Sequence, residues 1–156
     1  MSEAGYTIRS ARWPEDEPAL RAVRERVFVE EQAVPLDLEW DGLDAGARHL
    51  LALADGQPIG TVRILSDGHI GRMAVLATWR RRGVGSALLG RLLDDARAAR
   101  LHGVWLNAQT HAVSFYERFG FNADGREFLD AGIPHRRMVL KFAPDEPTRP
   151  ETPSTP

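Results

Sequence analysis

Apolar and polar positions repeat with two periods along this chain, and the switches between them mark out its elements. "YTIRSAR" (6–12) alternates and predicts a first strand. After Pro14 and Pro18, Leu20, Val23, Val27 and Phe28 recur at helical spacing, predicting a helix to about Gln32. "AVPLDLEWDGLDAG" (33–46) loses both periods and reads as a loop carrying four acids, Asp37, Glu39, Asp41 and Asp44. Residues 48–75 hold three strand-like runs split by Asp55-Gly56 and Asp67-Gly68, turn pairs that predict an antiparallel meander. From Val84, the residues Leu88, Leu89, Leu92, Leu93 and Ala96 make one apolar face opposite Arg91, Asp94, Asp95 and Arg97. Gly103 is expected to end that helix, with Arg100 and His102 in its last turn. "VWLNAQ" (104–109) predicts a strand, "AVSFYERFG" (112–120) a short helix closed by Gly120, and 126–142 a closing hairpin. The order β-α-βββ-α-β-α-ββ predicts an α/β (α+β) fold, a mixed and mainly antiparallel sheet flanked by helices.

Composition narrows the function classes. The 156 residues suit one domain, assigned to 1–142. Prolines 144, 147, 150, 153 and 156 stand at every third position, so 143–156 is expected to be a disordered tail, with a proline-reading partner as its one docking option. A net charge of −2 argues against a nucleic-acid partner. With no cysteine, disulfides and thiol catalysis are excluded, and the five histidines form no metal-spaced set with acids, so no metal site is expected. No apolar run is long enough to span a membrane, and "MSEAGYTIRS" carries no leader pattern, so a cytoplasmic location is expected.

The candidate chemistry begins at "WRRRGVGSALL" (79–89), where Arg80, Arg81 and Arg82 run into Gly83, Val84, Gly85 and Ser86 at a helix start. A helix start leaves backbone N–H groups without partners and carries a partial positive charge. The glycines let those groups converge on an anion, the arginines add attraction, and Ser86 adds a hydroxyl. The corner suits a pyrophosphate. No lysine follows the second glycine, since Lys141 is the only one in the chain, so this is not an ATP-type phosphate loop. Leu88 stands where a dinucleotide fingerprint needs its third glycine.

The string "RMAVLATWRRRGVGSALL", followed by "LNAQTHAVSFYERFGF", resembles the GNAT superfamily of N-acetyltransferases, whose R/Q-x-x-G-x-G/A signature matches Arg80 to Gly85. "RERVFVEEQAVP", "RHLLA" and "GIPHRRM" resemble its ElaA-like branch. The resemblance implies acetyl-CoA as co-substrate, seated in a wedge between two splayed parallel strands. Backbone groups of Met73, Ala74 and Val75 would pair with the pantetheine arm, and the backbone from Arg81 to Ser86 would hold the pyrophosphate. Asn107 would meet the cofactor amide near Gln109, which stands where many members have asparagine. Tyr116 matches the family tyrosine, which protonates the leaving thiolate or stabilises its charge.

The acceptor amine arrives protonated and needs a base; the candidates are Glu31, by helix phase, and His135. The absence of cysteine favours direct amine attack on the thioester. The acidic stretch 37–44 is expected near the acceptor site, where its charge would draw a cationic substrate. The leading expectation is thus an acetyl-CoA-dependent N-acetyltransferase acting on a small-molecule or protein amine, with a homodimer as an option. A non-catalytic CoA-binding sensor or interaction module is the alternative.

Overall fold

In a computed structural model of the chain, residues 5–143 are described, so the proline-rich stretch lies almost wholly outside the described residues. Eight strands form one sheet in the order β1-β2-β3-β4-β5-β8-β6, with β7 also paired to β8. The strands are β1 (Thr7–Ala11), β2 (Arg48–Ala54), β3 (Gln57–Ile64), β4 (His69–Val75), β5 (Gly103–Gln109), β6 (Asn122–Ala123), β7 (Phe128–Asp130) and β8 (Ile133–Lys141). The helices are α1 (Glu17–Arg24), α2 (Leu36–Glu39), α3 (Val84–Ala98) and α4 (Val113–Glu117). Every pairing is antiparallel except β4 with β5.

The meander turns as its sequence predicts. Asp55 (φ 50°) and Gly56 (φ 77°) both adopt left-handed backbone, the requirement of a two-residue turn whose twist matches the strands. Ala131 (φ 52°) and Gly132 (φ 77°) repeat the device between β7 and β8. On one face of the sheet, α3 buries Val84, Leu88, Leu89, Leu92, Leu93 and Ala96 against Leu50, Ala52, Val62, Ile64 and Ile70. The other side holds α1, whose Val23 packs with Val27 and Ala74.

Three local expectations need correction. Gly103 does not end α3; Arg100 (φ 62°) reverses the chain after Ala98, and Gly103 opens β5. A Cβ at Gly103 would lie 2.7 Å from the Leu140 carbonyl oxygen, so glycine there permits close approach of β5 and β8. The loop 33–46 contains α2 and a short 3₁₀ turn at Asp44–Gly46. Beyond Arg24 the first helix widens into a π-helical stretch over Glu25–Glu31, where the Gln32 amide donates to the Val27 carbonyl at 3.1 Å.

The acidic stretch is not a free anionic lure either. Glu39 (2% exposed) and Asp44 (3%) are buried. Arg24, fully buried on α1, donates from Nε to Glu39 Oε2 and from Nη1 to Asp44 Oδ1, each at 2.7 Å. Arg63 on β3 shares Asp44 Oδ1 at 3.0 Å and donates to both oxygens of Asp41. Three of the four acids are therefore engaged by arginines, because guanidinium groups held out of water need carboxylate partners.

This network sets an acid dependence. Burial pushes the Asp41 carboxyl up, but hydrogen bonds from Arg63 and the Leu43 amide outweigh it and hold the group at about 2. The unfolded value is about 3.9, so the folded state gains stability above that pH and loses it as pH falls toward 2. The urea midpoint of Asp41→Asn should therefore fall less than that of the wild type between pH 4 and pH 2. Parallel declines in the two proteins would mean that the ion pairs at Asp41 are not coupled to folding.

Candidate active site

The site begins with an interruption in the sheet. β4 and β5 pair at only two positions, His69 with Trp105 and Ile70 with Leu106. His69 stacks on Trp105 at 3.8 Å between ring centroids, which pins the strands at that end. Beyond it they part, so Gly71 to Val75 have no partner strand on the β5 side. A β-bulge lies at the same place: between Thr61↔Ala74 and Arg63↔Gly71, β4 carries one residue more than β3, and Arg72 takes left-handed backbone (φ 52°). Backbone N–H and C=O groups left open in this way are a template for an extended ligand.

A cavity of about 610 Å³ fills the gap. Its walls include Met73, Ala74 and Val75 of β4, Asn107 and Gln109 of β5, and Phe115 and Tyr116 of α4. Glu31 and Gln32 enter from the end of the π-helical stretch, Arg80 from the loop after β4, and His135 from β8. All three candidate catalytic residues, Tyr116, Glu31 and His135, thus face one space. Arg81, Arg82, Gly83, Val84, Gly85 and Ser86 lie outside its lining, at the start of α3.

At that helix start the backbone bends twice into the left-handed region, at Arg81 (φ 64°) and Gly83 (φ 84°). The first turn of α3 has no acidic residue and no side-chain cap, and among the described residues no side chain accepts from the amides of Arg81 to Ser86. Gly85 is ordinary helix; a Cβ there would come within 3.9 Å of Phe115 and 4.0 Å of Val75, both on the cavity wall. Gly85 therefore keeps the passage from the helix start to the cavity open. Arg82 stacks over Trp79 at 4.7 Å. Arg80 donates from Nε to the Val75 carbonyl at 2.9 Å and pairs with Glu31 through Nη2.

The candidate acid and bases differ in surroundings. Burial raises the Tyr116 phenol to about 12, so it keeps its proton throughout the neutral range. His135 is buried, and its Nδ1 lies 2.6 Å from the Ile133 carbonyl oxygen. A carbonyl only accepts, so Nδ1 carries a hydrogen, and in the neutral ring Nε2 is the nitrogen that offers a lone pair. Glu31 is paired with Arg80. The Gln109 amide donates to Gln32 Oε1 at 3.0 Å, linking the end of β5 to the first helix.

Sequence reading missed Arg63, Arg72, His69 and Asp130, which also line the cavity. A signal was present for Arg63: it is a charge inside "IGTVRIL", an otherwise buried apolar strand. Arg72 had none, because nothing in "HIGRMAV" announces a bulge. Among the described residues no group of three or more histidines and acids is placed to hold a metal, and no helix is long and apolar enough to cross a membrane.

Comparison with known proteins agrees with this geometry. The acetyltransferase (GNAT) domain family matches residues 16–142. The chain is 40% identical over 121 residues to the uncharacterized N-acetyltransferase YjcF of Bacillus subtilis, covering 75% of this chain and 86% of YjcF. It is 33% identical over 129 residues to the protein ElaA of Escherichia coli, covering 78% and 84%. The crystal structure of an acyl-CoA N-acyltransferase from Pseudomonas aeruginosa superposes with a TM-score of 0.75 at 34% identity, covering 86% of this chain and 97% of the other. Escherichia coli ElaA superposes at 0.78 with 28% identity, covering 87% and 99%. The chain is a member of the GNAT family of acyl-CoA-dependent N-acetyltransferases.

Proposed function

We propose that this protein transfers an acetyl group from acetyl-CoA to a primary amine by direct attack on the thioester. The observation that carries the reading is the parting of β4 from β5 beside a helix start whose amides no side chain caps. A pyrophosphate would take the amides from Arg81 to Ser86, with Arg81 and Arg82 adding charge. An extended pantetheine arm fits the open edge at Met73, Ala74 and Val75 as an added strand, with Asn107 and Gln109 opposite. Acetyl-CoA supplies the activated acyl carbon; the remaining work falls to this chain.

His135 is the better base. Among the described residues its Nε2 has no hydrogen-bond partner, whereas the Glu31 carboxylate is held by Arg80. His135 Nε2 takes the ammonium proton before attack, which frees the nitrogen lone pair; the nitrogen then bonds to the acyl carbon, the C–S bond breaks with its electron pair going to sulfur, and the second N–H proton leaves with the thiolate or to water. Tyr116 donates a hydrogen bond to the departing sulfur. Full proton transfer from a phenol at about 12 to a thiolate whose conjugate acid lies near 8.5 would be uphill by several kcal/mol, so the phenol acts by stabilising charge.

Four outcomes test this reading. Acetyl-CoA at about 100 times its Kd should stabilise the fold by about 2.7 kcal/mol, seen as a rise in Tm. Gly85→Glu, which grows a carboxylate between Phe115 and Val75, should abolish that rise without unfolding the protein; an undiminished rise would move the pyrophosphate elsewhere. Tyr116→Phe should lower kcat by about 10²-fold and spare the affinity for acetyl-CoA. A normal turnover rate in that variant removes the phenol from the chemistry. His135→Ala should lose a similar factor at pH 7 and recover about tenfold per pH unit toward the amine's own pKa near 10, because free amine then needs no base. A deficit that does not narrow with pH would return the role to Glu31 or to water.

A further inference from the structure

The closed end of the wedge, where β4 and β5 still pair, is lined by charges that acyl transfer itself does not require. Arg63 and Arg72 both reach the cavity there, beside Ile70, Gly71 and His69. We propose that this end is an anion subsite in which Arg72, backed by Arg63, binds a carboxylate on the acceptor, so that the acceptor is an amino acid or another amine bearing an acid group. This deepens the proposed N-acetyltransferase function and rests on it.

Four observations converge. First, Arg72 sits on the bulge in left-handed backbone, a conformation that costs a non-glycine residue free energy and so needs its surroundings to enforce it. Second, its guanidinium is only partly engaged. Nε and Nη2 face Glu39, Asp41 and the Leu38 carbonyl, while among the described residues Nη1 takes part in no hydrogen bond or ion pair. Third, Arg63 is 3% exposed, and its buried Nε has no partner. That nitrogen is closed off from solvent, so Arg63 acts from behind, as a fixed positive charge next to Arg72. Fourth, His69 on the same wall has three arginines, Arg63, Arg72 and Arg137, as charged neighbours against one acid, Asp67, and these act with burial to favour its neutral ring.

Arg63 and Arg72 are paired with Glu39, Asp41 and Asp44, which with Arg24 make a balanced set of three acids and three arginines, and the donor this set leaves over is Arg72 Nη1. Glu31 is held by Arg80, and Glu39 by Arg24 and Arg72. Asp130 is exposed at the rim on β7. A buried ion network is no better for stability than apolar packing of the same volume, so stability alone does not account for it. Its effect is to hold two guanidinium groups, the side chains best matched to a carboxylate, against the floor of the cavity. A polyamine would meet cations there.

The test pairs each acceptor with its decarboxylated twin: phenylalanine with phenethylamine and lysine with cadaverine, following CoA release at saturating acetyl-CoA. The carboxylate-bearing member should be preferred at least tenfold in kcat/KM, mostly through KM. Arg72→Gln should erase that preference and keep the Tm rise with acetyl-CoA, and Arg72→Lys should restore part of it. Equal or better turnover of the decarboxylated twins, or a preference that survives Arg72→Gln, overturns the proposal while the acetyltransferase reading stands. Titration of the protein alone with N-acetylphenylalanine and N-acetylphenethylamine reads the subsite independently of cofactor and turnover. Tighter binding of the acid supports the subsite even where acetyl-CoA gives no Tm rise, which would count against the acetyltransferase reading only; equal binding overturns the subsite.

Discussion

The proposed function depends on two parallel strands that pair at one end and part at the other. β4 and β5 make two residue pairs and then part at a bulge where Arg72 takes left-handed backbone, leaving a cavity of about 610 Å³ beyond. A sheet normally pairs its backbone groups along the whole length of its central strands. Here the middle of an eight-stranded sheet leaves Gly71 to Val75 without a neighbouring strand on one side. Such an edge stays soluble and specific when it is short, walled by helices and aimed at one extended ligand. The loop after β4 then leads straight to the α3 start, so the open edge and the uncapped amides follow each other along the chain.

The same site is braced from several directions by polar contacts. The end of the first helix reaches Arg80 through Glu31 and Gln109 through Gln32, touching both sides of the gap. The π-helical stretch that delivers these two residues is wider than an α-helix, which changes the angle at which they leave the helix. Below, Arg24, Arg63 and Arg72 are locked to Glu39, Asp41 and Asp44. These residues come from α1, β3, β4 and the stretch between α1 and β2, so the network ties the closed end of the cavity to the core.

Much of the fold was legible because local rules and global packing agree. The Asp-Gly pairs predicted the meander, the leucine face predicted α3, and the glycine after the tyrosine helix predicted its end. Where the reading went wrong, a tertiary contact had overruled a local signal. Gly103 looked like a helix stop, yet its lack of a side chain serves the approach of β8. The acids from 37 to 44 looked free to draw a cationic substrate because their partners, Arg24, Arg63 and Arg72, lie outside that stretch of sequence. Arg24 falls among apolar helical positions and reads as a surface residue until Glu39 and Asp44 are brought to it. The helix start at the arginine-glycine corner, by contrast, could be placed directly, since its signals are local and α3 does begin at Val84.

The central claim is that a diphosphate settles on the backbone amides of Arg81 to Ser86 while the rest of the carrier threads between β4 and β5. Amide chemical shifts of uniformly ¹⁵N-labelled protein, followed as CoA is titrated in, read both halves at once. The account predicts large concerted shifts at Gly83, Gly85 and Ser86 and at Met73 to Val75, with little change at the β1–β2 edge. Shifts confined to other surfaces, or absent from the glycines at saturation, would contradict it.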